Sequence, residues 1–375
     1  MNTAFRYLLL VFGTVITIHY LLTLTHDGYR RVASIDNLTS HFKQADSSDP
    51  IPDRDLPPFS NETLTVNHRA NATFVILARN TDIDDTIRSV REIEDRFNRR
   101  FMYPYVFLND EQFTEEFKEQ VFFIPNLLNL DSFQPIIGFS PTLSMKRRHK
   151  QVGIRWLKKA SSMEEANMCR FNSGFFFRHP LMEKYRWYWR IEPNVHFHCD
   201  IRFDPFLYME ENNKVYGFTI TMYEFQKTIP MNAIVIDFFK LYPEYLAKDN
   251  AMGFISSDNG DSYNLCHFWS NFEIADMNFW RGEAYTKFFQ YLDEKGGFYY
   301  ERWGDAPVHS IAVLTMVPSN QIKFFDEIGY EHNPYTHCPQ DKEVWKSLRC
   351  SCNPQKSFDY DGYSCMSKWD QFTRG

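Results

Sequence analysis

Apolar residues are distributed in two ways along this chain. From Tyr7 to Leu24 they form an 18-residue block (YLLLVFGTVITIHYLLTL) without Asp, Glu, Lys or Arg. That is close to the roughly 20 residues needed to span a bilayer. After about residue 70 the apolar runs become shorter and alternate with helical periodicities. Ala72–Asn80 (ATFVILARN) is a continuous apolar run ending in polar residues, as expected of a strand buried in a parallel sheet. Ile83, Ile87, Val90, Ile93 and Phe97 then recur at helical spacing over 82–98, with acids in the first turn. Tyr105–Asp110 (YVFLND) reads as a second strand and Val215–Ile220 as a further one. Strand, helix, strand begins a parallel α/β sheet, in which ligands bind beyond the carboxyl ends of the strands. Arg79 and Asn109–Asp110 are thereby placed beside a candidate nucleotide pocket, although strand-end solvation accounts for them equally well.

The segment between block and sheet differs in kind. It is polar and Pro-rich (DSSDPIPDRDLPPFSN) and carries the N-x-[ST] sequons at Asn37, Asn61 and Asn71. Such composition buries little and favours an extended or disordered stem. With Arg6 before the apolar block and no A-x-A cleavage site after it, the expectation is an uncleaved signal anchor. The expected organisation is a cytosolic tail (1–6), a transmembrane helix (7–24), a lumenal stem (25–70) and one folded domain (71–375).

Composition narrows the chemistry. A net charge of −7 argues against a general nucleic-acid binder. Four of the seven cysteines (338, 350, 352, 365) crowd into the last 38 residues, without zinc-finger spacing. In a lumenal protein this points to a disulfide-tied C-terminus with at least one odd thiol, and leaves the pairing open. No glycine-rich dinucleotide fingerprint, P-loop or H-E-x-x-H occurs. A bound nucleotide's phosphates must then be held by side chains and a metal.

Tyr185–Asp200 (YRWYWRIEPNVHFHCD) reads as a strand broken at Glu192-Pro193-Asn194, because proline cannot donate to a sheet ladder. A carboxylate at such a break suits a hard divalent cation bridging a diphosphate. Tyr263–Trp280 is dense in aromatics and holds a single glutamate, Glu273. Tyr299–Ser310 gathers Glu301, Arg302, Asp305 and His309 around Gly and Pro, a loop-rich grouping of acid, base and imidazole.

Six strings then occur in order: ATFVILARN, RFMYPYVFLND, MCRFNSGFFFRHPLM, WYWRIEPNVHFHCD, YNLCHFWSNFEIADMNFW and YYERWGDAPVHSI. Together they resemble the fungal α-1,2-mannosyltransferase family, glycosyltransferase family 15, over roughly residues 71 to 365. The resemblance implies a GT-A-like α/β fold with a mostly parallel sheet, a Golgi membrane anchor and a lumenal catalytic domain. It implies retaining transfer of mannose from GDP-mannose to mannose-terminated O- or N-linked glycans, with Mn²⁺. Its acidic motif falls on Glu192-Pro193-Asn194, which assigns Glu192 and Asn194 to the metal–diphosphate site. The same resemblance makes His309 a Mn²⁺ ligand, Glu273 the carboxylate beneath the anomeric carbon, and Arg79 a nucleotide-side residue, while Asp110 is assigned to the nucleotide by its strand-end position.

One stretch departs from the family. Ser132 to Met163 contains no acid and seven Lys/Arg residues. Shortly beyond it, Met163-Glu-Glu-Ala runs almost directly into Asn167-Met-Cys-Arg, so a tyrosine carried there by relatives has no counterpart. A divergent basic loop contacting diphosphate, a misread splice or frame, and lost activity each account for this. Two rival readings follow: a non-catalytic glycan-binding or complex subunit, and a membrane-anchored glycoside hydrolase built on a carboxylate pair.

Overall fold

The computed structural model describes residues 68–122, 134–135, 160–224 and 231–374 except 259 and 302, together with 13, 14 and 17. The expected tail, the sequons at Asn37 and Asn61, and nearly all of the anchor, the stem and the basic 132–163 stretch lie outside the described residues. Among the described residues no helix is long and apolar enough to cross a membrane. The chain divides into Met1–Pro58 and Phe59–Gly375, and every described strand belongs to the second unit.

Twelve strands are described: β1 Ala72–Leu77, β2 Tyr105–Asn109, β3 Gln134–Pro135, β4 Trp187–Ile191, β5 Val195–Phe197, β6 Tyr216–Phe218, β7 Thr221–Tyr223, β8 Cys266–Phe268, β9 Glu273–Asp276, β10 Ile322–Phe324, β11 Tyr330–His332 and β12 Tyr335–His337. Seven of them form one sheet in the order β10-β6-β9-β4-β1-β2-β3. Pairing is parallel at β4–β1, β1–β2, β2–β3 and β10–β6, and antiparallel only on the two sides of β9. The sheet is therefore mixed and mostly parallel, in keeping with the α/β class expected. β5, β11 and β12 form a small antiparallel sheet, and β7 pairs with β8.

The period of two sorts the side chains onto two buried faces. Phe74, Ile76, Trp187, Trp189 and Ile274 pack on one side with Val90, Ile93 and Phe97 of the segment after β1. Helix α1 (Ile83–Ile93) continues there into a π-helical turn, Glu94–Asn98, so the 82–98 periodicity does mark one helical run. On the other face Val75, Tyr188, Tyr216 and Ala275 meet helices α2 (Ala160–Gly174) and α3 (Asp305–Met316). Phe74 stacks on Tyr105 at 4.8 Å between ring centroids. Burial of a side chain such as Phe74 stabilises by roughly 2–3 kcal/mol relative to exposure. Most of the aromatic richness of the sequence is spent in these two layers.

Two sequence expectations change in form. Tyr185–Asp200 is two strands in different sheets, separated by a turn in which Asn194 adopts φ +63°. Asparagine tolerates that left-handed conformation better than most residues. The 299–309 cluster is no loop throughout: Asp305 opens α3, with Gly304 as N-cap and Pro307 in the first turn, where its missing N–H costs nothing.

Three disulfides close the C-terminal region: Cys199–Cys350, Cys266–Cys365 and Cys338–Cys352, leaving Cys169 as a free thiol. The Cys266–Cys365 bridge fixes β8, and with it one wall of the cleft described next.

Candidate active site

A cleft opens where β4 ends. Its walls include Arg190 and Glu192 from the end of β4, Ser270 and Asn271 from the turn before β9, Asp305 from the start of α3, and His332 from the end of β11. Tyr223, His267, Trp269, Trp303 and Tyr335 supply an aromatic lining. Aromatic faces beside polar side chains suit a sugar ring, which presents C–H surface between hydroxyl groups.

Arg190 organises the polar floor. Nη1 donates to Asp305 Oδ2 at 2.6 Å, and Nη2 bonds Glu192 Oε1. Ser270 Oγ donates to the same Asp305 oxygen at 2.8 Å. Burial opposes the charge on Arg190, yet Glu192 and Asp305 raise its pKa well above the usual arginine value. Burial likewise pushes the Asp305 carboxyl upward, but Arg190, His309 and the two hydrogen bonds hold it below the ordinary value. The result is a desolvated, charged Asp305–Arg190–Glu192 chain ending at the cleft.

Glu192 Oε2 lies 3.7 Å from His332 Nε2, too far for a hydrogen bond. The other ring nitrogen, Nδ1, is buried without a protein partner. Pairing of β5 with β11 sets this meeting: His332 stands opposite Val195, just beyond the turn that holds Glu192. Trp269 packs edge-on against the imidazole at 5.1 Å. A carboxylate oxygen and an imidazole nitrogen converging on a polar cleft form a donor set acceptable to Mn²⁺. Among the described residues no group of three or more His, Cys, Asp or Glu could hold a metal.

Glu273 opens β9 and stands directly opposite Arg190 in the β4–β9 register. It is fully buried. Tyr188 Oη donates to Oε1 at 2.8 Å, and Tyr216 Oη to Oε2 at 3.1 Å. Tyr188 in turn accepts from Trp280 Nε1 at 3.1 Å, which leaves its own proton for Glu273. His309 Nδ1 lies 3.0 Å from Oε2, and its Nε2 lies 3.1 Å from the main-chain oxygen of Asn172. A carbonyl only accepts, so Nε2 donates to it. Burial, then the charge of Glu273, raises both tyrosines well above the ordinary phenol range, so they remain donors.

Several expected site residues take other places. His309, expected as a metal ligand, is fully buried with both ring nitrogens engaged and stacks on Trp280 at 4.4 Å. In this arrangement it cannot bind a cation. The imidazole that faces Glu192 is His332. Asn194 is half-buried in its turn and does not line the cleft; its N–H reaches the Asp85 carbonyl at 3.4 Å. Arg79 and Asp110 are exposed just past the ends of β1 and β2. They share the sheet edge with Glu192, as the topology requires, but are not part of the cleft wall. Ser270, Asp305 and His332 went unassigned because chain pairing, and not sequence spacing, brings them together.

Residues 30–374 match the family described as Glycolipid 2-alpha-mannosyltransferase. Glycolipid 2-alpha-mannosyltransferase 2 of Candida albicans is 50% identical over 313 residues, spanning 80% of this chain and 67% of that protein. The X-ray structure of the mannosyltransferase Ktr4p from S. cerevisiae superposes with a TM-score of 0.75 at 40% identity, covering 81% of this chain and 82% of that one. Core-mannan synthase A from Aspergillus fumigatus, in a Mn/GDP form, gives 0.70 at 34% identity, covering 81% and 85%.

Proposed function

The chain belongs to the glycolipid 2-alpha-mannosyltransferase family, and on that premise we propose that it transfers mannose from GDP-mannose to the 2-hydroxyl of a terminal α-mannose, with retention of configuration. The observation that carries this reading is the meeting of two groups of residues at one sheet edge. Glu192 and His332 flank the cleft, and Glu273 lies at the same edge on the adjoining strand. Glycans of glycoproteins, O- or N-linked, are the acceptors that fit an open aromatic cleft.

Glu192 and His332 would hold Mn²⁺, whose chemistry when bound is to neutralise charge developing on the diphosphate leaving group. The Mn/GDP form of the Aspergillus relative supports this metal and this nucleotide. Arg190 keeps Glu192 oriented through their ion pair, and Asp305 with Ser270 fixes Arg190 from behind. Glu273 serves the anomeric centre, where retention calls for a carboxylate on the face opposite the leaving group. Tyr188, Tyr216 and His309 hold that carboxylate in one orientation, so His309 acts through Glu273 as a positioning residue.

The remaining parts of the reading are its cellular setting: a Golgi membrane location, an anchor over 7–24 and a stem over 25–70. The apolar block and the clustered sequons support them.

The test uses the full-length chain in detergent with GDP-mannose, methyl α-mannoside and Mn²⁺, following GDP release and disaccharide formation together. An α-1,2-linked disaccharide supports the proposal. GDP binding without product favours the second reading, a catalytically impaired member, for which the complete burial of Glu273 is the specific observation.

A further inference from the structure

A second, open and polar basin of about 460 Å³ shares no lining residue with the cleft. The small sheet separates the two. His332 pairs with Val195 and lines the cleft, so the period of two turns His196 and His198 of β5 to the opposite face, where they line the basin. Three stretches of chain supply its walls: Arg96 of the π-helical turn with Arg99 just beyond it, residues 196–200, and Arg349 with Ser351. The Cys199–Cys350 disulfide joins the last two.

Two of the three carboxylates here already have partners on both oxygens. Asp200 takes Arg96 Nη1 on Oδ1 at 2.9 Å and Arg349 Nε on Oδ2 at 2.6 Å. Glu92 has His196 Nδ1 at 2.8 Å on one oxygen and accepts the Phe197 N–H on the other at 2.9 Å. Asp95 is the third acid of the lining and is exposed. Donors are in surplus. Arg99 is exposed, and its side chain makes no hydrogen bond or ion pair among the described residues. Arg96 spends only Nη1 on Asp200. Arg100 stands beside them, its Nη2 donating to the Ile201 carbonyl at 2.7 Å. Burial lowers the Arg100 pKa; Asp200 opposes that, while Arg202 and Arg99 add to it. Arg96, Arg99, Arg100, Arg202 and Arg349 thus crowd around one engaged carboxylate, in a chain whose net charge is −7.

Guanidinium groups so placed repel one another, and a multiply charged acceptor relieves that repulsion. We propose that the basin is a phosphate-binding site, in which Arg99, Arg96 and Arg349 donate to the oxygens of a phosphate group, free or carried on a sugar. A carboxylate brings one charge in a plane, whereas phosphate brings up to two on a tetrahedron, which suits donors arriving from three stretches of chain. A neutral sugar is less well served, since Phe197, the one Phe, Tyr or Trp of the lining, is buried in the core. The site stands apart from the cleft and needs neither Mn²⁺ nor the mannosyl-transfer reading.

The experiment uses the full-length protein in detergent, treated with EDTA so that no metal bridges phosphate to the cleft. Inorganic phosphate, mannose 6-phosphate and mannose are titrated by calorimetry, with Tm followed in parallel. Wild type should bind phosphate and not mannose, with affinity falling as NaCl is raised. Binding of both phosphates identifies a phosphomonoester as the ligand class, and binding of inorganic phosphate alone identifies the free ion. Arg99→Ala should weaken binding by about tenfold or more with no change in ligand-free Tm, because its side chain holds no partner to lose. Arg349→Ala should weaken it in the same direction, and His332→Ala should leave it intact. The proposal is overturned if wild type takes up no phosphate at millimolar concentration, or if Arg99→Ala binds as wild type does. Loss of binding in His332→Ala overturns it too, by placing the anion in the cleft.

Discussion

Arg190 and Glu273 stand directly opposite each other on antiparallel β4 and β9, yet each makes its closest hydrogen bonds elsewhere. Arg190 donates to Asp305 and Glu192, while Glu273 accepts from Tyr188 and Tyr216 and contacts His309. Opposite charges at neighbouring register positions attract without a contact bond. The division leaves Glu192 on the cleft wall and Glu273 fully buried on the smaller cavity, with Arg190 lining both. Both sit on a rigid sheet, which holds geometry better than a loop.

Glu273→Gln should lower kcat by roughly 10²–10³-fold or more while leaving Mn²⁺-dependent GDP binding intact. His309→Ala should act in the same direction but less strongly, because Tyr188 and Tyr216 still hold the carboxylate. Steady-state kinetics with GDP titration separates these effects. A His309 variant with weakened Mn²⁺ affinity and normal kcat at saturating metal would return His309 to the metal site.

His332→Ala should raise the Mn²⁺ concentration needed for half-maximal activity by at least about tenfold, as loss of even an outer partner does at metal sites. Its Tm should change little, because the ring is partly exposed and Nδ1 has no partner to lose. Metal titration of activity, alongside thermal unfolding, checks both parts.

Arg190→Met should destabilise the fold by about 3–5 kcal/mol, since it leaves Asp305 and Glu192 uncompensated in a buried setting. Combining it with Asp305→Asn should recover part of the loss, a coupling measurable by chemical denaturation of the four variants.

His337 and Asp359 form a buried pair away from the cleft, with Nδ1 2.9 Å from Asp359 Oδ2. Burial alone lowers the histidine's pKa, but the Asp359 carboxylate raises it to about 9, from 6.5. A folded-state pKa above the unfolded value means the contribution is fully present below pH 6.5 and lost as pH rises through 9. The amount is roughly 3 kcal/mol. Tm should fall between pH 7 and 10 in wild type, and the fall should be smaller in His337→Gln.

The strands at 72–80 and 105–110 and the helix after the first were legible because an apolar run and a 3.6 period leave local traces. Glu192 was legible for a related reason: Pro193 breaks a strand-like run where a carboxylate stands. Glu273 stood out as the single glutamate in an aromatic stretch. His332 was not legible, because it lies 140 positions from Glu192 in the chain and reaches it only through β5–β11 pairing. The metal role of His309 came from the family resemblance alone, and the residues around it gave no warning that Gly304 and Pro307 start a helix carrying the imidazole into the core.

The most direct test of the central claim, Mn²⁺-dependent mannosyl transfer at this cleft, is the linkage and metal dependence of the product. Full-length protein is incubated with GDP-mannose and methyl α-mannoside, after EDTA treatment and again after adding Mn²⁺. The account predicts an α-1,2-linked disaccharide that disappears with EDTA, returns with Mn²⁺, and is absent in Glu192→Ala and Glu273→Gln. Product formation that persists in EDTA, or survives in both variants, would contradict it.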